Sequence, residues 1–170
     1  MFEFHNYSPK IYTYVSDIIM DYKSHLIHLK GKKIVDIWIA WDKDNNEWFN
    51  DCPVLIGFYD CQLELCAYKS DEYKISFNQI PVSQSIDWYG TDFKLEWVKN
   101  KLPSLTSLNN QLVKHIEIIE VYSGGVGTSL SLYGVGFQLV EGYFAVCNGL
   151  DENIITTERP DSLNYKCTII

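Results

Sequence analysis

The fold is decided by residues 34–41, which read IVDIWIAW. Ile37, Ile39 and Trp41 stand two residues apart, so they lie on one face of an extended chain. Three further short apolar segments follow at 54–59, 63–68 and 73–77, and polar residues separate them. Short strands at this spacing are typical of an antiparallel meander, and the sequence therefore predicts a fold rich in β structure.

A second stretch of the chain matches this one at an offset of 79 residues, which pairs Ile37 and Ile39 with Ile116 and Ile118. The same offset pairs Gly57 with Gly136, and with one or two residues of slack Cys66 matches Cys147 and Asp71-Glu72 matches Asp151-Glu152. A period of about 80 is too long for a solenoid repeat. We therefore predict a single domain over 1–170 that duplicates one β unit, at about 29–76 and 108–156. The strands predicted in the second part are 115–122, 129–140, 142–147 and 163–170.

A helix is predicted before the first β unit, over about 9–29. Ser8 and Pro9 are suited to the N-cap and first helical position, and Gly31 is suited to ending the helix. Between these ends, apolar residues three and four apart form one stripe that we expect to be buried: Ile11, Val15, Ile18, Tyr22, Leu26 and Leu29. The run of β-branched and aromatic residues at 11–15 favours a strand instead. The predicted fold class is α+β, with the N-terminal helix packed on a mainly antiparallel sheet built from two related β units.

Composition excludes several classes of function. The chain of 170 residues has 22 acidic and 14 basic residues, a net charge of −8, and a single arginine, Arg159. Proteins that bind nucleic acid or anionic membranes gain affinity from basic patches, so neither partner is expected. The N-terminus lacks the pattern of a secretion signal and no apolar run is long enough to span a membrane. We therefore expect a cytoplasmic protein whose five cysteines are small reduced hydrophobes.

The motifs that could carry chemistry are incomplete. Residues 123–129 read SGGVGTS, but Thr128 stands where a phosphate-binding loop requires lysine. The acidic stretch from Asp42 has Glu47 where a calcium-binding EF-hand requires glycine. His25 and His28 have no third metal ligand at a suitable spacing, and His115 with Cys147 lacks an orienting group. The sequence therefore predicts no catalytic residue, no metal and no cofactor.

One segment is suited to binding another protein. Its acidic side chains follow the predicted strand 34–41, and aromatic residues stand among them. Aromatic anchors within charged surroundings are typical of protein interfaces. The predicted partner-binding residues are Asp42, Asp44, Glu47, Trp48 and Asp51.

The chain resembles uncharacterised proteins of Gram-positive bacteria that are similar to immunity proteins of polymorphic toxin systems. The segments that carry the resemblance are Leu29 to Ile34, Trp41-Asp42, Asp51 to Leu55, Leu63-Glu64, Ser76-Phe77, Asp87-Trp88 and Asn148 to Asn153. The resemblance implies a non-enzymatic protein that binds the effector domain of a secreted toxin in the cytoplasm and neutralises it, without assigning a role to any residue. The net charge of −8 is compatible with a basic toxin as the partner. Two alternatives remain open: a small-molecule enzyme or ligand-binding module with a site between the two β units, and a structural or assembly module. The oligomeric state is not predicted.

Overall fold

The predicted strands form two separate antiparallel sheets rather than one. The structure is a computed structural model that describes residues 7–88, 91–123 and 129–170. It consists mostly of β structure, with one N-terminal helix and a single short helical turn among the described residues. The prediction of antiparallel strands with an N-terminal helix is confirmed, and the prediction of one sheet is wrong. The strands of each predicted unit pair with one another, so each unit lies in its own sheet.

The larger sheet contains the first predicted unit. Its strand order is β1-β6-β5-β4-β2-β3, and β7 pairs with β2 as well. Strands β3 and β7, which are short or follow an irregular segment, were not predicted, and β1 lies in the run at 11–15 for which a strand was the alternative to the helix. The strands are β1 Ile11–Tyr12, β2 Asp36–Asp42, β3 Glu47–Trp48, β4 Val54–Gly57, β5 Gln62–Tyr68, β6 Glu72–Phe77 and β7 Leu95–Lys99.

The smaller sheet contains the second predicted unit, in the order β11-β10-β9-β8-β12. All four strands predicted here are present with small shifts at their ends, and β11 was not predicted. Residues 124–128, which include the glycine cluster, lie outside the described residues. The strands are β8 Val113–Ser123, β9 Ser129–Leu139, β10 Tyr143–Asn148, β11 Asn153–Thr156 and β12 Tyr165–Ile169.

The two units share a strand order. The meander β2-β4-β5-β6 is laid out like the meander β8-β9-β10-β11. Ile37 and Ile116 lie in corresponding strands, β2 and β8. Gly57 and Gly136 also lie in corresponding strands, but Gly57 is the last residue of β4 whereas Gly136 lies well inside β9. That the units arose by duplication stays a prediction.

The main core lies between the two sheets. Ile37 and Ile39 of the larger sheet and Ile116 and Ile118 of the smaller sheet are all fully buried in one cluster. The Tyr73 hydroxyl donates a hydrogen bond of 2.8 Å to the Val146 carbonyl across this interface. Apolar side chains that alternate along strands from both sheets therefore bury one another, as in a β-sandwich.

The N-terminal helix α1 spans Val15–His28, so the predicted start at residue 9 is wrong. Ile11 and Tyr12 form β1 and pair with β6, as their β-branched and aromatic character favours. Ile18 is fully buried in the core, as the stripe predicts, and Tyr22 is half-buried against it. The second helix, α2, is one turn over Pro103–Thr106.

Each sheet also has a covered outer face. Residues 78–88, which we call the cover, pack over the larger sheet and bury Ile80 and Ile86 against Leu55. β11 and β12 lie at opposite edges of the smaller sheet, so residues 157–164 cross between them. We call this segment the strap; its Arg159 contacts Glu117, on the outer face of β8.

Candidate functional site

Loops from both sheets meet at one end of the sandwich. β2 ends at Asp42, β5 ends at Tyr68 and β10 ends at Asn148. We call the loops at these ends, residues 42–52, 68–72 and 148–153, the acidic end. They carry eight carboxylates and two lysines, and so most of the net charge of −8. Charges concentrated in this way create a negative potential over one surface of the molecule.

Two buried asparagines hold these loops together. Asn153 accepts a hydrogen bond of 2.8 Å from the backbone N–H of Ala67 and donates to the carbonyls of Asn50 and Cys52, both at 2.8 Å. Asn148 donates to the carbonyl of Lys69 at 2.6 Å. Because buried side-chain amides with satisfied hydrogen bonds fix one geometry, the acidic end is built on a rigid support. The sequence analysis assigned neither asparagine a role in holding these loops together.

Asp42 differs from the prediction that it lies exposed on a loop. Its side chain is 2% exposed at the end of β2. Its carboxylate accepts hydrogen bonds from the Asp44 N–H at 2.9 Å and from the Asn45 side chain at 2.9 Å. Burial raises the pKa of Asp42, but these hydrogen bonds outweigh burial and leave the pKa below its usual value. Asp42 thus shapes the hairpin and presents no surface to a partner.

The other predicted residues of this hairpin lie nearer the surface. Asp44 is exposed and forms an ion pair of 3.1 Å with Lys94. Glu47 is exposed on β3. Trp48 is half-buried and packs against the main core, while its indole N–H is buried and has no acceptor among the described residues. Trp48 therefore contributes to the fold as well as to the surface.

Asp51 is brought close to the acidic pair of the second unit. Asn50, its neighbour, donates a hydrogen bond of 2.9 Å to the Glu152 carboxylate. Burial, followed by the charges of Glu152 and Asp151, raises the pKa of Asp51. The Asp151 carboxylate also accepts a 2.6 Å hydrogen bond from the N–H of Lys69. The structure therefore brings Asp51 and the loop at 68–72 together around the pair Asp151-Glu152.

An exposed leucine, which the sequence analysis missed, lies at the tip of the acidic end. Leu150 is 78% exposed. Its φ is +67° and that of Asp151 is +85°, conformations that ordinary residues rarely adopt and that cost free energy. Asn148 stabilises the loop by accepting a 3.0 Å hydrogen bond from the Asp151 N–H. A lone apolar residue between Gly149 and Asp151, directly after the strand predicted at 142–147, was the signal that could have identified this position.

A pocket of about 250 Å³ opens beside these acidic loops, on the outer face of the larger sheet. Its lining includes Asp51, Cys66, Tyr68, Trp88 and Asp151. Lys74 completes it: this lysine is 7% exposed, and its ammonium lies 3.5 Å from the centre of the Tyr68 ring. Burial lowers the pKa of Lys74 and raises the pKa of the Cys66 thiol to about 12.

The other candidate residues are not assembled into sites. Among the described residues, no group of three His, Cys, Asp or Glu side chains is placed to hold a metal ion. His28 lies 3.5 Å from Asp60, and His25 packs against the Phe77 ring. His115 contacts Glu117 at 3.2 Å. Burial raises the pKa of Cys147 to about 12, which keeps it a thiol at neutral pH and disfavours a nucleophilic role.

Comparison with protein-family models, with curated proteins and with solved structures found no match for this chain. In the part of the chain that the structure describes, no helix has the length and apolar character needed to cross a membrane.

Proposed function

We propose that this chain is a non-enzymatic, immunity-like protein that binds a basic protein toxin domain in the cytoplasm and neutralises it through the acidic end. The observation that carries the proposal is the concentration of exposed carboxylates at the acidic end, on loops from both sheets that two buried asparagines hold together. The immunity-like role itself rests on the sequence resemblance. The chemistry of the surface supports a basic partner.

Electrostatic complementarity supports rapid and oriented association. Opposite potentials on two proteins raise the association rate and set their orientation, whereas affinity depends on a few buried anchors. Asp44, Glu47, Asp51, Asp151 and Glu152 are exposed and available to a partner. Asp42 is part of the proposal only as the residue that holds the hairpin in place.

Two apolar residues are suited to act as anchors within this charged surface. Leu150 projects from the tip of the loop with 78% of its surface exposed. Trp48 is half-buried, so a partner would cover only the remaining part of its ring. Apolar side chains that become fully buried at the centre of an interface carry much of the binding energy.

The carboxylates can be tested by association kinetics against a basic effector domain encoded in the same locus of the producing strain. We expect the double variant D44N/E47Q to slow association by about tenfold at low salt and to weaken its dependence on salt. The matched control is Glu141→Gln, because Glu141 is exposed at the turn between β9 and β10, at the opposite end of the smaller sheet. Equal rates for the two variants would place the interface elsewhere.

The anchors can be tested by dissociation kinetics with the same effector domain. Leu150→Ala and Trp48→Ala should each accelerate dissociation, with a loss of about 2 kcal/mol in binding free energy for a true anchor. Leu163→Ala is the control, since Leu163 is 71% exposed on the strap. Trp48→Phe retains the core packing and distinguishes lost binding from lost folding. Turnover of a substrate that depends on a titratable side chain of this chain would contradict the non-enzymatic role.

A further inference from the structure

Lys74 is a buried cation whose hydrogen-bond donors have no acceptor among the described residues. It lies on β6 opposite Cys66 of β5, and only 7% of its surface is exposed. The ammonium contacts the face of the Tyr68 ring, 3.5 Å from the ring centre, and forms no ion pair with a described carboxylate. A cation–π contact does not satisfy the three donors of an ammonium group. Buried charges are ordinarily paired, so the position of Lys74 calls for an anionic acceptor from outside the chain.

The pocket supplies the space for this acceptor. The lining that Lys74 shares with Tyr68 and Trp88 encloses about 250 Å³, enough for a molecule of the size of a free amino acid. The two rings supply apolar walls, and the buried thiol of Cys66 lies beside Lys74. Concave sites with aromatic walls and a few fixed polar groups are typical of small-molecule binding.

The remaining polar groups of the pocket are negative. Asp51 and Asp151 both line it and both are exposed. Carboxylates at these positions disfavour a ligand that carries only negative charge, and they favour a positive group close to the anionic one. Lysine on one side and two aspartates on the other therefore select a ligand with both charges.

We propose that this pocket binds a small zwitterion of the α-amino acid class, whose carboxylate accepts hydrogen bonds from Lys74 and whose ammonium group faces Asp51 and Asp151. The side chain of the ligand lies between Tyr68 and Trp88. The site overlaps the proposed toxin-binding surface at Asp51 and Asp151, but Lys74 and Trp88 belong to the pocket alone, and its existence does not depend on a protein partner.

Titration calorimetry of the full chain tests the charge requirement with three matched probes: L-phenylalanine, 3-phenylpropionate and phenethylamine. These probes share one ring and carry both charges, only the carboxylate or only the ammonium. We expect L-phenylalanine to bind at least about tenfold more tightly than either single-charge probe, because each of those leaves one side of the pocket unpaired. The other proteinogenic amino acids are titrated alongside, since the walls accept other apolar side chains.

Variants then assign the contacts. Lys74→Met should abolish binding of the amino acid that binds most tightly, and Asp51→Asn should weaken it by about tenfold. Lys101→Met is the control, because Lys101 also contacts a ring, at 4.4 Å from the centre of Trp41, but lies outside the pocket. Thermal unfolding of each variant verifies that it is folded.

Three results would overturn the proposal. The first is no heat of binding from any amino acid at about 10 mM, a concentration that detects even millimolar affinity. The second is equal binding of L-phenylalanine and 3-phenylpropionate, which would show that the ammonium group has no role. The third is unchanged binding by a folded Lys74→Met variant. None of these outcomes affects the test of the toxin-binding surface, which uses a protein partner and other variants.

Discussion

The two outer faces of the sandwich are covered by similar means but held by different chemistry. Glu64 under the cover and Glu117 under the strap are both fully buried. Glu64 accepts hydrogen bonds from uncharged donors: the Ser76 hydroxyl, the Gln62 amide and the N–H groups of Gln79 and Ile80. Glu117 instead pairs with the Arg159 guanidinium, at 2.6 Å and 3.2 Å.

As a result, the cations on the two faces, Arg159 and Lys74, differ in whether they have a carboxylate partner. On the smaller sheet, Arg159 uses its bidentate geometry to neutralise Glu117, and its side chain keeps half of its surface in water. On the larger sheet, Glu64 is satisfied by neutral groups, while the Lys74 ammonium lies against the Tyr68 ring, lines the pocket and forms no ion pair with a described carboxylate. The smaller sheet therefore neutralises the buried charge on its outer face within the chain, whereas the larger sheet leaves the Lys74 ammonium without a counter-ion among the described residues.

The largest loss of stability is expected in the core that the two sheets share. Ile18→Ala should reduce the free energy of unfolding by about 2–4 kcal/mol, because it removes a fully buried side chain and leaves a cavity. Chemical denaturation measures the change. Met20→Ala is the control, since Met20 is on the same helix but 74% exposed. An unchanged midpoint for Ile18→Ala would contradict the placement of α1 on the core.

Substitution of the buried carboxyl group under the cover tests whether neutral donors suffice to hold it. Glu64→Leu should cost about 3 kcal/mol, because it removes both acceptor oxygens and leaves the buried N–H groups of Gln79 and Ile80 without a partner. Denaturation followed by tryptophan fluorescence measures this loss. A stability equal to wild type would mean that the cover is held by apolar packing alone.

Breaking the ion pair under the strap should have a somewhat smaller effect. Arg159→Met leaves Glu117 buried without its main partner, and we expect a loss of about 2 kcal/mol; the half-exposed arginine and the remaining contact to His115 reduce the penalty of a fully buried pair. The control is Lys166→Met, which removes a more exposed pair with Glu120 and should change stability by less than about 1 kcal/mol. Equal losses for Arg159→Met and Lys166→Met would mean that the buried pair contributes no more to stability than the more exposed one.

On the larger sheet, removal of the cation should raise the free energy of unfolding instead of lowering it. Lys74→Met removes a buried charge without a partner and keeps most of the side-chain volume, so the ligand-free protein should gain about 1 kcal/mol. Equilibrium denaturation of wild type and variant measures the difference. A loss as large as that of Arg159→Met would mean that the ammonium is stabilised within the chain, contrary to the comparison.

The smallest expected effect is the pH dependence of the stability gained by Lys74→Met. Burial lowers the pKa of Lys74 below 10.5, and the nearby Cys66, Glu72 and Asp151 only partly oppose it. The unfolded chain therefore binds more protons, and the cost of the buried ammonium is fully present below the native pKa and disappears as the pH rises toward 10.5. The stability difference between Lys74→Met and wild type should shrink over this range. A constant difference would assign the gain to packing.

Local patterns in the sequence determined much of the architecture. The alternation at 34–41 and in the second unit predicted most of the long strands, because side chains of a strand point to opposite faces and the apolar face must be buried. The helical stripe identified Ile18 as a core residue. The same local reasoning failed at residues 9–14, where pairing of β1 with β6 supplied hydrogen bonds that the first helical turn would otherwise have formed.

The contacts between distant segments were visible only in the folded structure. Lys74 occupies the polar position of an alternating strand, a pattern that predicts exposure to water; its burial depends on Trp88, 14 residues away along the chain, and on a loop of the other sheet. Asp51 and Asp151 come together because Asn153 joins loops about 100 residues apart. Alternation specifies which face a side chain occupies, but contacts between distant segments depend on how the sheets pack, and no local pattern of residues encodes that packing.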